Sequence, residues 1–434
     1  MNIINSEKIL ERLQRLHPKQ IDLTLDRILE LLDKLNNPQN KLPQTIHIAG
    51  TNGKGSTLAF LRGMLEANNY KTHVYTSPHL INFNERIRLN SKIISNKFLL
   101  ELLKECEHHN KNRPITFFEI TTVAAILAFS RIRSDYLLLE TGLGGRYDAT
   151  NVIDKKICAI LTPISMDHMS FLGNSIELIT KEKIGILKQN IPTVVAKQAN
   201  KVTEIIKDFS KKNFIKTYLY GSEWEITEIE KSKNTFNLKC MDKNYSLPIP
   251  SLCGDHQIYN TGLAYTVLKV IQDIKIKDNK TCNAIKQVSW PARMQKIESG
   301  PLNNLVTKKM EIWLDGGHNV DASLILKNIV NQWKTKENFL IFGMVQGKDF
   351  QKFLKNISYL FKCILVIPIS DHQCISPKII KKDLDNLRTN VFIKNNVSEA
   401  LIFLRNNFKQ GSVLICGSLY LAGHVLKENN YKII

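Results

Sequence analysis

At 434 residues the chain is too long for one ordinary hydrophobic core, so two domains are expected. Its 43% hydrophobic and 23% charged composition is that of a water-soluble globular protein, and no apolar run reaches the roughly 18 to 20 residues a membrane-spanning helix needs. The formal charge of +20 invites a nucleic-acid reading, yet only 13 of the 60 cations are arginine and the lysines are scattered among asparagines and isoleucines. That is compositional drift rather than a binding face.

Neither a nucleic-acid nor a membrane partner is therefore expected, and the positive field serves to attract anionic substrates. The eight cysteines show no C-x-x-C and no zinc spacing, which reads as reduced thiols. Residues 1–13 carry charges without a hydrophobic signal core, so a cytoplasmic location is expected.

Residues 7–35 place Leu10, Leu13, Ile21, Leu25, Ile28, Leu31 and Leu32 at helical spacing, predicting two helices broken near Pro18. A β-prone segment at 45–49 then runs into Gly50-Thr51-Asn52-Gly53-Lys54-Gly55-Ser56 and a helix over 57–68. Strand, glycine loop and helix in that order let backbone N–H groups surround phosphate oxygens, with Lys54 reaching the terminal phosphates and Ser56 or Thr57 available to magnesium. The strict P-loop spacing fails, because Ile48 stands where its first glycine belongs and Gly55 follows the lysine. A ligand-free glycine turn is the alternative.

A second strand, 71–76, leads into Ser77-Pro78-His79-Leu80 and Asn84-Glu85-Arg86-Ile87. Arg86 and Arg88, on alternate positions, either face a carboxylate or form a solvated strand edge. Thr116-Phe117-Phe118-Glu119 precedes a buried helix at 120–130, and the apolar strand 136–141 carries Glu140 near its end, before Gly142-Leu143-Gly144-Gly145 and Asp148. A carboxylate at the C-terminal end of a parallel strand, near a phosphate loop, is placed to bind magnesium. The strand 158–163 brings Asp167-His168 to the same edge. A helix over 177–189 carries Lys183, which on pattern alone is one more surface lysine. Residues 215–250 alternate as a small antiparallel set, and a helix over 257–274 carries Asn260 one turn in.

After a boundary at Trp290-Pro291-Ala292-Arg293, strands at 312–315, 339–343, 363–368, 391–394 and 413–416 alternate with helix-length segments, a second open α/β sheet. The first of these strands ends in Asp315-Gly316-Gly317-His318-Asn319.

The ordered set of these motifs, from Gly50–Ser56 through Asp315–Asn319 to Cys416-Gly417-Ser418, resembles the folylpolyglutamate synthase and dihydrofolate synthase family, a branch of the ATP-dependent Mur ligases. The resemblance spans nearly the whole chain. It implies an α/β fold with a larger N-terminal P-loop ATPase domain (1–292) that also binds the pterin or folate, a smaller Rossmann-like C-terminal domain (296–434), and an active site between them. By the same resemblance Gly50 through Thr57 hold ATP, Lys54 acting on its phosphates, and Asn260, Arg293, Asp315 and His318 match nucleotide contacts. Ser77, Glu140 and His168 match magnesium positions, with two ions implied, and Lys183 matches a lysine carbamylated to carry the second. Lys54, Lys183 and His318 are the implied catalytic set. Thr116, Phe118 and Asp148 match a pterin pocket, Ser418 a glutamate-handling region, and Arg86 joins them in binding substrate.

The reaction implied is ATP-dependent ligation of L-glutamate to dihydropteroate or folate through an acyl phosphate, by a monomer. Departures from the family are Gly317 for a usual alanine, Val320 for a frequent proline and Ala292 for a common glycine. A muramoyl amino-acid ligase is one alternative, against which Thr116–Glu119 and Asp148 argue. A nucleic-acid-binding protein is the other.

Overall fold

The computed structural model describes residues 6–17, 21–334, 337–370, 372–384 and 390–433. Eight strands form the first sheet: β1 (Gln44–Ala49), β2 (Thr72–Tyr75), β3 (Ile87–Leu89), β4 (Lys92–Ile93), β5 (Tyr136–Glu140), β6 (Lys156–Leu161), β7 (Thr193–Val195) and β8 (Thr217–Leu219). Their order is β4-β3-β2-β5-β1-β6-β7-β8, parallel except for the β2–β3 and β3–β4 pairings. Every residue of β5 is buried, as a strand covered on both faces requires. Its pleat sends Leu138 into one core, with Leu58, Phe60 and Leu61 of the helix Lys54–Ala67, and Leu137 and Leu139 into another, with Ile120 through Phe129 of the helix Phe117–Arg131.

Three antiparallel strands, β9 (Trp224–Glu230), β10 (Thr235–Cys240) and β11 (Lys243–Pro248), form a separate small sheet whose Trp224, Phe236, Leu238 and Leu247 join the first of those cores. The alternation expected over 215–250 covers this sheet and also β8. That strand belongs elsewhere, pairing parallel with β7 at the edge of the large sheet.

The last sheet comprises β12 (Gln295–Ile297), β13 (Met310–Leu314), β14 (Asn338–Phe342), β15 (Cys363–Val366), β16 (Asn390–Ile393) and β17 (Gly411–Cys416) in the order β12-β13-β17-β14-β15-β16. Only the β12–β13 pairing is antiparallel. All five expected strands are present, and β12 adds an edge. Phe339 and Ile341 face one core, Leu340 and Phe342 the other.

The opening helices are Ser6–Leu13 and Asp26–Lys34, and the break expected at Pro18 lies outside the described residues. The helix expected over 177–189 is shorter, Ile176–Lys183 followed by a 3₁₀ turn, Ile184–Ile186. The cause is local: a side chain at Gly185 would place Cβ 2.5 Å from Arg146 Cα, and Arg146 N donates to Glu182 O at 2.8 Å. The chain turns off there to pack against the 144–146 loop. All eight cysteines are free thiols, and no helix among the described residues is long and apolar enough to cross a membrane.

Candidate active site

The β1 strand ends at Ala49, and the loop after it is built for backbone rather than side chains. At Gly50 (φ 151°) a Cβ would lie 1.9 Å from Thr162 Oγ1, and at Gly53 (φ 86°) it would lie 2.7 Å from Asn260 Oδ1. Thr51 N and Asn52 N donate to Pro163 O, fixing the loop on the end of β6. The helix Lys54–Ala67 starts at Gly53 with no side-chain cap and no acid in its first turn. Its leading N–H groups, which no helix satisfies internally, therefore meet the cleft as an anion site. Ser56 lines this cleft, whereas Thr57 turns into the core.

Lys54 Nζ donates to Gly50 O (3.1 Å) and Thr51 O (3.3 Å) and lies 3.9 Å from Glu140 Oε1. Glu140 closes β5, in register with Ile48 of β1, and accepts a hydrogen bond from Ser77 N at 3.2 Å. Burial raises its carboxyl, against the opposing pull of Lys54. Lys183, at the end of its helix, donates to Gly50 O at 2.9 Å. Burial first, and the Lys54 charge second, push its amine down to about 7. His168 follows Asp167 in a left-handed conformation (φ 52°) at the cleft margin.

Lys54, Ser77, Glu140, His168 and Lys183 thus wall one cleft. Among the described residues no three His, Cys, Asp or Glu side chains gather into a ready-made metal cage. One buried carboxylate, a serine and an imidazole beside an anion site instead suit magnesium, which keeps water and phosphate oxygens as most of its ligands.

The opposite wall comes from the six-stranded sheet. Asp315, just past β13, accepts Met294 N (2.8 Å) and Gly317 N (2.7 Å); burial raises its carboxyl and Arg293 pulls it back. Ala292 (φ 56°) and Met294 (φ 43°) both lie in the left-handed region on either side of Arg293. Alanine at 292 therefore holds a conformation that glycine adopts freely. His318 Nδ1 meets Gly316 O at 3.0 Å, and its Nε2 lies 3.5 Å from Asp167 Oδ2. Asn260 Nδ2 donates to Gln257 Oε1 at 3.0 Å beside Gly53.

At this seam Asn319, Lys348 and Gln257 carry no assigned role in the sequence, while Asn52 belongs to the expected ATP loop. Asn52 and Asn319 exchange amide hydrogen bonds (2.9 and 3.3 Å), Asn319 also donates to Asp167 Oδ2 at 3.3 Å, and Lys348 pairs with Asp167 Oδ1. Burial alone would raise the Asp167 carboxyl, but His318, Lys348 and His168 outweigh it and hold it well below the usual range. Gln257 Nε2 is buried at the cleft without a hydrogen-bond partner. Asp167 is expected at this edge together with His168, but as a metal-side group rather than as the partner of Lys348 and Asn319. Lys348, in the loop after β14, had no local cue.

A second space of about 430 Å³ opens beside the cleft, walled by Arg86, Phe118, Tyr147, Asp148, Phe171 and Tyr420. Phe118 lies so close over Gly142 that a Cβ there would meet its ring at 2.3 Å. Thr116, Asp148 and Ser418 line this space too, but each also holds local structure. Thr116 Oγ1 accepts Glu119 N (3.3 Å) and donates to Glu119 Oε2 (2.7 Å), a capping box. Asp148 accepts Leu143 N (2.7 Å) on Oδ2 and both the N–H (3.0 Å) and the hydroxyl (2.5 Å) of Thr150 on Oδ1, so Oδ2 is the oxygen with room for a ligand. Ser418 caps the helix Leu419–Glu428 through Tyr420 N at 3.1 Å. Arg86 Nε donates to His79 Nδ1 at 2.9 Å, and its guanidinium lies 5.2 Å from the Phe83 ring centre. No carboxylate among the described residues pairs with it.

Residues 48–268 match the family profile of the Mur ligase middle domain, and residues 295–428 that of the dihydrofolate synthetase C-terminal domain. The dihydrofolate synthetase of Saccharomyces cerevisiae is 30% identical over 433 aligned residues, 94% of this chain and 98% of that protein. The dihydrofolate synthase/folylpolyglutamate synthase of Bacillus subtilis is 29% identical, over 93% and 94% of the two chains. Among solved structures, Escherichia coli FolC in complex with DHPP and ADP superposes with a TM-score of 0.87 at 26% identity, covering 98% of this chain and 97% of that one. The bifunctional Yersinia pestis enzyme complexed with AMPPNP and manganese gives 0.85 at 26%, over 98% of each.

Proposed function

The chain belongs to the dihydrofolate synthase/folylpolyglutamate synthase family of Mur ligases, and from that premise we propose that it joins L-glutamate to dihydropteroate, to folate polyglutamates or to both, using ATP. The observation that carries this reading is the convergence of an uncapped glycine-loop helix, Lys54, Glu140 and Lys183 on one cleft faced by Arg293, Asp315 and His318.

A carboxylate is a poor electrophile and must be activated before an amine can attack it. The acceptor carboxylate attacks the γ-phosphorus of ATP in line, giving an acyl phosphate and ADP; the glutamate amine then attacks the acyl carbon and phosphate leaves. Positioning and charge neutralisation supply most of the catalysis in such a transfer. Lys54 exchanges its bonds to Gly50 O and Thr51 O for phosphate oxygens, the helix N–H groups hold the phosphates, and Arg293 approaches from the opposite wall. Magnesium, held by Ser77, Glu140 and His168, would supply a fixed positive charge beside the moving phosphoryl group. Lys183 has the neutral amine that carbamylation needs, in which amine and CO2 give a carbamate and a proton. Its product is an anion where a second cation can be held. Asn260, Asp315 and His318 hold the nucleotide, while Phe118 stacks on the pterin and Oδ2 of Asp148 faces the pterin edge. Arg86, with no acid of its own, is suited to a substrate carboxylate, and Ser418 lies at the glutamate end.

The proposed domains are 1–292 and 296–434, with Arg293 at the joint. The interval between the two family matches and the start of β12 at Gln295 support that division.

A coupled ADP-release assay with L-glutamate and either dihydropteroate or tetrahydrofolate tests the reading. Release that requires both glutamate and a pterin acceptor is expected. Release that ignores both would overturn it.

A further inference from the structure

His47 lies in the middle of β1, in register with Leu139 of β5 and Ala159 of β6, and is fully closed to solvent. Its neighbours Ile46 and Ile48 point to the other face of the sheet, into the core with Leu58 and Phe60. An apolar side chain would fill position 47 at lower cost, because a buried polar group needs a partner. The imidazole has one, and it leads towards the aromatic cavity. Nε2 lies 2.8 Å from Thr150 Oγ1, and the same hydroxyl lies 2.5 Å from Asp148 Oδ1. Nδ1 is buried without a hydrogen-bond partner.

Counting protons gives the direction of these bonds. Burial raises the Asp148 carboxyl, while the N–H groups of Leu143 and Thr150, one on each oxygen, favour its ionised form. Against a carboxylate the Thr150 hydroxyl gives its single proton to Oδ1, and Nε2–H of His47 is then the donor to Thr150 Oγ1. Burial first, and the charges of Lys156 and Lys188 after it, keep the imidazole neutral, so Nδ1 is a bare lone pair.

The turn Ala149–Val152 that carries Thr150 is held by other groups. Asn151 Nδ2 donates to Arg146 O (3.0 Å) and Gly185 O (3.2 Å), and Lys156 Nζ donates to Asn151 Oδ1 (2.8 Å) and Ile186 O (3.2 Å). His47 therefore sets one side chain rather than the backbone. It fixes the Thr150 hydroxyl between Nε2 and Oδ1, and donors aligned in one direction strengthen each bond along the chain. Oδ1 is taken up on two sides, and Oδ2 is left as the acceptor for a ligand.

We propose that His47, acting through Thr150, sets Asp148 to accept from the donor edge of the pterin, where the 2-amino group and N3–H lie, and so selects a 2-amino-4-oxo ring over one with a carbonyl at C2. His47 touches no substrate; it is a positioning residue for acceptor specificity. The inference rests on the ligase reading and deepens it.

Two measurements test this. The first is KM for 7,8-dihydropteroate, ATP and L-glutamate in His47→Leu, His47→Gln, Thr150→Val and Thr150→Ser enzymes. His47→Leu and Thr150→Val should each raise KM for dihydropteroate about tenfold and leave KM for ATP and L-glutamate within about twofold. His47→Gln, whose amide N–H reaches the place of Nε2, and Thr150→Ser, which keeps the hydroxyl, should stay within about threefold of the parent. The second is calorimetric binding of pterin-6-carboxylate and lumazine-6-carboxylate, which carry an amino group and a carbonyl at C2 respectively. The parent should prefer the pterin by about tenfold or more, and Thr150→Val should reduce that preference to about threefold or less.

Equal rises in KM for dihydropteroate and ATP, Thr150→Val kinetics equal to the parent's, or no rescue by His47→Gln and Thr150→Ser would overturn the assignment. If His47→Leu does not fold, Thr150→Val, which keeps the shape of its side chain, decides. A parent that releases no ADP with any pterin, yet prefers pterin to lumazine until Thr150 is changed to Val, would sink the ligase reading and keep the role of His47. A working ligase that binds the two rings equally would do the reverse.

Discussion

The amines of Lys54 and Lys183 share one acceptor, the carbonyl oxygen of Gly50, at 3.1 and 2.9 Å. Two cations meeting on one backbone oxygen are poised for an anion, and the buried one answers by losing its proton readily, at about 7.

That shift predicts a pH and CO2 dependence. The unprotonated Lys183 amine is the form that takes up CO2, and its fraction rises as pH climbs through about 7. At fixed dissolved CO2, turnover should rise across that window; stripping CO2 should lower it and bicarbonate should restore it. A profile indifferent to CO2 removal would remove the carbamate from the account.

The same burial has a stability consequence. With its folded pKa near 7 and an ordinary value of 10.5, the unfolded chain binds more protons at Lys183 between these limits, so the parent gains stability as pH rises through them. In CO2-free buffer Lys183→Met should therefore be more stable than the parent below pH 7, by about 1–3 kcal/mol after losing the bond to Gly50 O, and the advantage should shrink towards pH 10. Thermal unfolding at several pH values checks this.

Phe118 should govern the acceptor rather than the nucleotide. Stacking a flat heterocycle on an aromatic ring is worth about 1–3 kcal/mol, so Phe118→Ala should raise KM for the pterin acceptor roughly 10- to 100-fold with KM for ATP unchanged. Steady-state kinetics with each substrate varied separates the two.

Much of this arrangement is legible in the sequence because it is local. β1, β5 and β6 are apolar runs, and the groups that follow them, Gly50, Thr141 and Asp167, come to one edge once the strands are parallel. β3, β4 and β12, of two or three residues each, are too short to show a period. Thr116-Phe117-Phe118-Glu119 spells a capping box, a structural reading that the ligand assignment obscured. His47 looks like any residue of a buried strand. Its link to Asp148 runs through Thr150, 103 positions along the chain, which no nearby residue announces.

Lys348 and Asp167 lie 181 positions apart and are nearly closed to solvent, with side-chain exposures of 12% and 7%. Removing one partner strands the other charge, so Lys348→Met should cost about 3 kcal/mol, and Asp167→Asn in the same chain should recover part of it. A double-mutant cycle by chemical denaturation measures the coupling. Small-angle scattering with ATP present should show Lys348→Met less compact than the parent.

Gly423, inside the helix Leu419–Glu428, touches the loop that begins at Ser77: a Cβ there would lie 2.0 Å from Leu80 O. Gly423→Ala must push helix and loop apart, costing about 1–3 kcal/mol by overpacking. Because Ser77 moves with the loop, the magnesium concentration giving half-maximal ADP release should rise. Melting curves and a magnesium titration test both effects.

The central claim is that the acceptor carboxylate takes the γ-phosphoryl group before the amine attacks. With both carboxylate oxygens of dihydropteroate labelled with ¹⁸O, the account predicts one labelled oxygen in each phosphate released during glutamate-dependent turnover. Phosphate released without label, at an undiminished rate of amide formation, would contradict it.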